Sequence, residues 1–364
     1  VTRPVLFTGD IFRLQPRGGI TRYFREVIVR LRRPCEVAAG FHQSTALSGI
    51  GAQVRSAARV PHFRGATRPR ALLNAAWDLA ILARRREAIL HPTYYRDPRS
   101  LPSGRPVVVT VYDMAHERFP DLFRRRFWNT PDPARWKQAL LRRADRVVCI
   151  SEATRRDLLR FLPVPEGKLR VVYAGGPDWS GIAPRPVPGV REPFFLWVGE
   201  RHTYKNFAPT LEAWAGSRTA AGTQLLCIGA GPFTPGERAA FAARGAAARV
   251  RWVACPDEEL RWAYERAAGL LYTSRCEGFG LPVLEAMSSG CPVVASRAAA
   301  LPEVAGDDFI EVDPENPDSL AAGIERCLAE GRNPQRAEAA RARAATFTWE
   351  RCAAAHETLY GELD

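Results

Sequence analysis

The stretch Arg275–Gly290, RCEGFGLPVLEAMSSG, sets Glu277 and Glu285 on either side of a turn bracketed by Gly278 and Gly280. The run before it, AGLLYTS (268–274), is short and apolar and reads as a buried strand. Pro282 suits the first position of a helix, residues 283–289 continue it, and Gly290 ends it. Strand, glycine-bracketed loop and helix N-terminus in that order make an anion site. The N–H groups of Phe279, Gly280 and Leu281 have no helical partners and can face a phosphate. Gly278 and Gly280 let the backbone approach it closely. Carboxylates accept hydrogen bonds and so can hold pairs of hydroxyl groups. Glu285, read as lying in the first helical turn, is placed for a ribose diol. Glu277, on the loop before it, is placed for a sugar hydroxyl beside the phosphate. An acid in a first turn gains ~0.3–1 kcal/mol from the helix dipole alone, so Glu285 by itself would be unremarkable. The ordered string is what points to a sugar nucleotide.

Working outward, strand-like runs and helical patterns alternate along the whole chain. Expected strands in the first half are residues 4–10, 35–40, 105–113, 145–151 and 168–175. Those in the second half are 193–199, 223–229, 248–254, 268–274, 291–296 and 308–312. Helical spacing of Tyr23, Phe24, Val27, Ile28 and Leu31 predicts a helix over 21–33, and 71–86 reads as another. Residues 176–192 are rich in proline and glycine, which is linker composition. The expected organisation is an N-terminal domain over 1–180, a linker over 181–192 and a C-terminal domain over 193–345. A terminal helix over 346–364 should pack back toward the N-terminal domain. Strands that alternate with helices build parallel sheets covered on both faces. The fold class is therefore α/β: two doubly wound, Rossmann-like domains facing across a cleft, with ligands at the carboxyl ends of the strands.

The opening string resembles the E-x7-E signature of retaining glycosyltransferases of family 4, which have the GT-B fold and include bacterial mannosyltransferases. VVTVYDMAHERFPD (108–121) is similar to that family's acceptor-side loop. ISEATRRDLLRFLPVPEGKLRVVYAG (150–175) is similar to its S-E-x-S-x-x-D-L helix, and FLWVGERHTYKNF (195–207) to its V-G-x-R-x-x-Y-K-N segment. The resemblance covers residues from about Gly18 to Val312. It implies a hexosyltransferase that uses a nucleotide-sugar co-substrate, GDP- or UDP-linked, and no other cofactor. The Tyr204-Lys205-Asn206 variant favours a GDP-mannose type.

In such a transfer negative charge grows on the departing diphosphate, and fixed cations and N–H dipoles are the expected stabilisers. No Asp-x-Asp pair or histidine cluster is seen, so no metal is expected. Arg201 and Lys205 follow the strand ending at Gly199 and match the family's donor-phosphate cations. Gly18 and Gly19, after the first strand, are expected to supply amides from the other side of the cleft. Val253 and the residues after it resemble the segment that reads the nucleobase. On the acceptor side Asp113 follows a strand and His116 lies three residues on. Many family members have histidine directly before the aspartate, where this chain has Tyr112. Asp113 either takes the acceptor's proton or orients His116, and His116 is equally readable as an ordinary satisfied histidine. The resemblance also allows front-face attack, in which the leaving phosphate itself takes the acceptor's proton.

The chain has 364 residues, with 52 Lys and Arg against 39 Asp and Glu. The excess is one-sided: residues 1–180 hold 33 basic and 15 acidic side chains, and the remainder 19 and 24. An anionic partner of the first half is expected: a lipid-linked or glycan acceptor, or peripheral contact with an anionic membrane through Arg124-Arg125-Arg126 and Arg142-Arg143. No helix-turn-helix, RRM-like or finger pattern supports nucleic acid. A phosphorylase would need a lysine for pyridoxal phosphate, and only Lys137, Lys168 and Lys205 exist. The eight cysteines show no CxxC spacing and read as reduced thiols of a cytosolic protein without a signal peptide.

Overall fold

Parallel pairing runs through every sheet of this chain, whose computed structural model describes residues 2–60, 67–123, 133–201 and 203–364. The chain divides into two units, one of residues 1–175 with 348–364, the other of residues 176–347.

The first unit holds β1 (Val5–Thr8), β2 (Cys35–His42), β3 (Val54–Arg59), β4 (Ile89–Pro92), β5 (Val108–Val111), β6 (Arg146–Cys149) and β7 (Leu169–Val171). The ladders run β3-β2-β1-β4 and β5-β6-β7, and a parallel bridge from Leu90 to Val107 joins them. β1, β4 and β5 are buried along their whole length, as strands covered on both faces must be. The helix Trp349–Gly361 belongs to this unit. Its His356 accepts or donates at 2.7 Å with the Tyr23 hydroxyl, and its Tyr360 hydroxyl lies 2.6 Å from His91 Nδ1. Ser151 caps the helix Glu152–Phe161 by accepting from the Thr154 amide.

The second unit holds β8 (Phe194–Val198), β9 (Gln224–Ile228), β10 (Val250–Val253), β11 (Gly269–Tyr272), β12 (Val293–Ser296) and β13 (Ile310–Val312). Their order is β10-β9-β8-β11-β12-β13. The direction of winding reverses between β8 and β11, and a doubly wound sheet opens its ligand crevice at the carboxyl ends of the two strands beside such a reversal.

Two strands differ from the sequence expectation. β3 (VRSAAR) lacks an apolar run because it is a mostly exposed edge. β4 (ILHP) contains histidine and proline, and its burial rather than its composition makes it a strand. The expected helix over 21–33 runs instead from Gly19 to Arg30, with Leu31 extended at its end. The expected helix over 71–86 runs from Thr67 to Arg84. A short helix, Asp10–Leu14, separates β1 from Gly18, so the glycine pair does not follow directly from the strand. All eight cysteines are unpaired thiols.

Candidate active site

The loops leaving β8 and β11 bring Lys205 to Glu277. Gly199, just past β8, has φ +120° and turns the chain out of the sheet in a conformation that disfavours side chains. The turn Thr203–Lys205 then leads into Asn206, itself left-handed at φ 67°, before the helix Phe207–Gly216. Asn206 Nδ2 donates to the Pro314 carbonyl at 2.7 Å, which anchors the strained residue. Lys205 Nζ consequently donates to both carboxylate oxygens of Glu277, at 2.8 and 2.9 Å. It also lies 5.2 Å from the Tyr204 ring centre and 5.9 Å from that of Tyr272.

Glu277 is 7% exposed. The Tyr272 hydroxyl, from the last residue of β11, is hydrogen-bonded to the same carboxylate. Burial raises the Tyr272 pKa well above the ordinary tyrosine value, and Glu277 adds to the rise. Tyr272 thus remains a donor to the carboxylate.

Gly280 has φ +96°, and a Cβ there would meet Leu301 Cδ2 at 2.7 Å, so glycine is required on both counts. It caps the helix Leu281–Ser288. The helix begins one residue before Pro282, because the left-handed Gly280 starts it. Glu285 is therefore the fifth helical residue and lies beyond the first turn, which corrects the sequence expectation and removes the dipole explanation for it. Glu285 is 6% exposed and accepts a hydrogen bond from the Tyr264 hydroxyl at 2.8 Å. Burial raises the Tyr264 pKa well above its ordinary value, with Glu285 the next cause. Gly278 lies in the same loop, and Phe279 turns its ring inward onto Phe347, with ring centres 5.7 Å apart. Val253 ends β10 at the same edge of the sheet, two strands from β8.

Arg201 is bound elsewhere. Its Nε donates to Glu237 at 2.7 Å, its Nη2 to the Gly231 carbonyl at 2.8 Å and its Nη1 to the Gly229 carbonyl at 3.3 Å. The guanidinium also lies 4.8 Å from the Phe233 ring centre. Glu237 is the acid of a capping box with Thr234 at the start of the helix Pro235–Ala243. Burial pushes its carboxyl up, but the bonds from Arg201 and Thr234 outweigh that and hold it below the usual carboxylate range. Arg201, expected from the sequence to meet a donor phosphate, clamps the β9 loop through these contacts.

In the first unit Gly18 caps the helix Gly19–Arg30. Asp113 follows β5; its Oδ1 accepts from the Ala115 amide at 3.0 Å and so starts the turn Ala115–Arg118. His116, inside that turn, stacks on Phe123 with ring centres 4.2 Å apart. Sequence reasoning missed the group beneath. Lys137 is fully buried; its Nζ donates to Glu117 Oε2 at 2.6 Å and to the Asp113 carbonyl at 3.0 Å. The only available signal was a lysine inside an amphipathic helix, which normally marks a solvent face. Tyr264 and Tyr272 were missed too, because they fit the core pattern of their elements. Of the Arg142-Arg143 pair, Arg143 donates to the carbonyls of Pro98, Leu101 and Pro102 and clamps that loop, while Arg142 is exposed. Arg124-Arg125-Arg126 lie outside the described residues. Among the described residues no group of three or more His, Cys, Asp or Glu side chains is arranged to hold a metal ion.

The family profile described as Glycosyltransferase Family 4 matches residues 17–175, and that described as Glycosyl transferases group 1 matches residues 192–330. The chain is similar to the O-antigen chain mannosyltransferase B of Escherichia coli, 45% identical over 98 residues, which are 27% of this chain and 26% of that protein. It is also similar to the MMP alpha-(1->4)-mannosyltransferase of Mycolicibacterium hassiacum, 31% identical over 271 residues, 71% of this chain and 65% of that one. The matched stretch thus spans less than two thirds of either relative. Among solved structures, Anabaena HepE in complex with UDP and glucose aligns with a TM-score of 0.71 at 18% identity, covering 99% of this chain and 100% of that one. With both of its Rossmann-like units matched, the chain belongs to the family 4 glycosyltransferases and has their GT-B fold.

Proposed function

We propose that the chain transfers a hexose, of mannose type, from a nucleotide diphosphate sugar to a glycan or lipid-linked acceptor, with retention at the anomeric carbon and without a metal or other cofactor. The observation that carries this reading is the Lys205–Glu277–Tyr272 cluster at the carboxyl edge of β8 and β11, one helical turn and a glycine loop away from Glu285. The mannosyl relatives support the sugar, and the UDP-bound neighbour supports a nucleotide-linked donor.

In this reading Glu285, oriented by Tyr264, grips the ribose diol. Glu277 holds a hydroxyl of the transferred sugar. The bond between the anomeric carbon and the diphosphate oxygen breaks, and its electron pair leaves with the phosphate. Lys205 and the amides at the start of the helix Leu281–Ser288 meet that charge as it forms. The acceptor hydroxyl attacks from the same face and its proton passes to the departing phosphate oxygen. Arg201 serves this step by holding the β9 loop. Asp113 and His116 stand on the acceptor side, on a turn braced by Lys137. Gly18 and Gly19 offer further amides, and Val253 lies beside the base.

A thermal-shift series with GDP, UDP and ADP tests the donor site, because a ligand bound only by the folded state raises the midpoint. A shift with GDP above the others, followed by an α-linked product from GDP-mannose, is the expected result. No shift with any of the three nucleotides would defeat the reading.

A further inference from the structure

The sheet of the first unit has a reversal of its own. The chain lays β1, β2 and β3 outward in one direction and then returns to place β4 on the other side of β1. Such a reversal opens a crevice at the carboxyl ends of those two strands. Thr93 fastens the ends together: its Oγ1 donates to the Thr8 carbonyl at 2.7 Å and accepts from the Ile11 amide at 3.1 Å. Tyr112, just past β5, donates its hydroxyl to the Thr93 carbonyl at 2.8 Å. Tyr94 is thereby set on a fixed base. Its ring lies nearly parallel to that of Tyr112, with centres 6.1 Å apart, and 4.9 Å from that of Tyr95.

The polar groups of this edge divide into two sets. The cations are engaged within the chain. Every nitrogen of the Arg96 guanidinium donates, to Ser100 Oγ, to Asp10 and to Asp78. Arg13 divides its guanidinium between Asp78 and the carbonyls of Ala38 and Ala39. Lys137 is fully buried on Glu117 and the Asp113 carbonyl. The second set is one donor and one acceptor left over. The Tyr94 hydroxyl has no hydrogen-bond partner among the described residues, and Asp113 accepts there only at Oδ1, from the Ala115 amide. The two groups feel each other. Burial, and then the Asp113 carboxylate, push Tyr94 up to about 12, so its hydroxyl stays protonated and donating. A neutral donor beside a carboxylate fits a pair of sugar hydroxyls, one accepting from the phenol and one donating to the acid. It does not fit a phosphate, whose charge would meet Asp113 with no free cation of this cluster to offset it.

We propose that the hexose is received by an uncharged sugar, two of whose hydroxyls are held by the Tyr94 hydroxyl and the Asp113 carboxylate, and that a phosphorylated sugar is rejected at this position. This acceptor assignment rests on the transferase reading above and narrows it to the neutral end of a glycan.

The test offers the whole chain methyl glycosides of mannose, glucose, galactose and N-acetylglucosamine, each beside its 6-phosphate, with GDP-mannose and UDP-glucose as donors. GDP- and UDP-induced thermal shifts are recorded on the same preparations. At least one neutral glycoside should accept a hexose, with its 6-phosphate roughly tenfold or more poorer in kcat/KM. Tyr94→Phe keeps the ring and its stack. It should raise the acceptor KM roughly tenfold, while the unfolding midpoint and the nucleotide shift stay at wild-type values. Asp113→Asn keeps an oxygen for the Ala115 amide but removes the charge, and should narrow the preference for the neutral acceptor to within roughly threefold. An unchanged acceptor KM in Tyr94→Phe, or a 6-phosphate used as well as its parent, would overturn the proposal. So would a wild-type nucleotide shift with no transfer to any neutral glycoside, an outcome that leaves the donor reading standing. Absence of the nucleotide shift would instead bring down the donor reading, and the acceptor assignment with it.

Discussion

Lys205 Nζ is held between the two carboxylate oxygens of Glu277, at 2.8 and 2.9 Å, at the one edge of the second sheet where its winding reverses. On the function proposed above, this cation and anion, which neutralise each other without donor, would serve it when it arrives: the lysine for phosphate, the carboxylate for hydroxyl. The pair also has a structural cost if broken, because Glu277 is buried and cannot be rehydrated in place.

Lys205→Met should accordingly do two separable things. It should lower stability by about 3–5 kcal/mol, the usual range for stranding a buried charge, with the double variant Lys205→Met/Glu277→Gln recovering part of that loss. It should also reduce transfer by at least ~10²-fold in both the single and double variants, as loss of a leaving-group stabiliser does. Urea midpoints and initial rates on the same preparations check both. Recovery of rate in the double variant would mean that the lysine acts only on the glutamate.

The strand–loop–helix order around Glu277 and Glu285 is readable in the sequence, and the reason is local. Glu277, Gly278, Gly280, Pro282 and Glu285 lie within one strand–loop–helix unit, so spacing alone orders them in space. The groups that orient them could not be read this way. Tyr264 and Tyr272 sit at core positions where only a ring is needed, and nothing in the string announces that their hydroxyls reach carboxylates from other elements. Lys137 occupies a helix whose polar face looks solvated, yet it is fully buried because Glu117 and the Asp113 carbonyl come to meet it. β4 was hidden because two of its four residues are histidine and proline, and it is a strand through its pairing with β1.

Tyr264→Phe tests the role of Glu285. The change removes one hydrogen bond from a buried carboxylate, which should cost about 1–3 kcal/mol of stability. If Glu285 holds the ribose, KM for the donor should rise several-fold while kcat changes little, since the ribose contact is the same in ground state and transition state. A fall in kcat at unchanged KM would place Glu285 at the reacting carbon instead.

Arg201→Lys separates a clamp from a phosphate contact. Lysine keeps the charge but cannot reproduce the fork that reaches Glu237 and the carbonyls of Gly229 and Gly231. A stability loss of about 1–3 kcal/mol with nucleotide affinity nearly unchanged is expected. Calorimetric titration of GDP against both proteins gives the comparison, and a tenfold weaker GDP complex at unchanged stability would return Arg201 to the phosphate.

His91 and His356 make stability depend on acid. Both are fully buried in the first unit, with ring centres 5.7 Å apart. Burial takes His356 down to about 3, against a smaller upward pull from Glu357, and burial followed by His356 takes His91 well below the usual histidine value. The folded chain therefore keeps both rings neutral while the unfolded chain protonates them from about pH 6.5 downward. The unfolded state binds more protons below that pH, so stability falls as pH drops below 6.5, by up to about 1.4 kcal/mol per pH unit for each ring while it stays neutral in the folded chain. Urea midpoints between pH 7.5 and 5.0, above the range where most carboxylates titrate, should show this slope. His356→Gln should lower stability at neutral pH, because the Tyr23 hydroxyl loses its 2.7 Å partner, and should flatten the slope by about half. An unaltered slope would mean that the ring is already protonated in the folded chain and that its burial among Tyr23, His91 and Tyr360 does not exclude the charge.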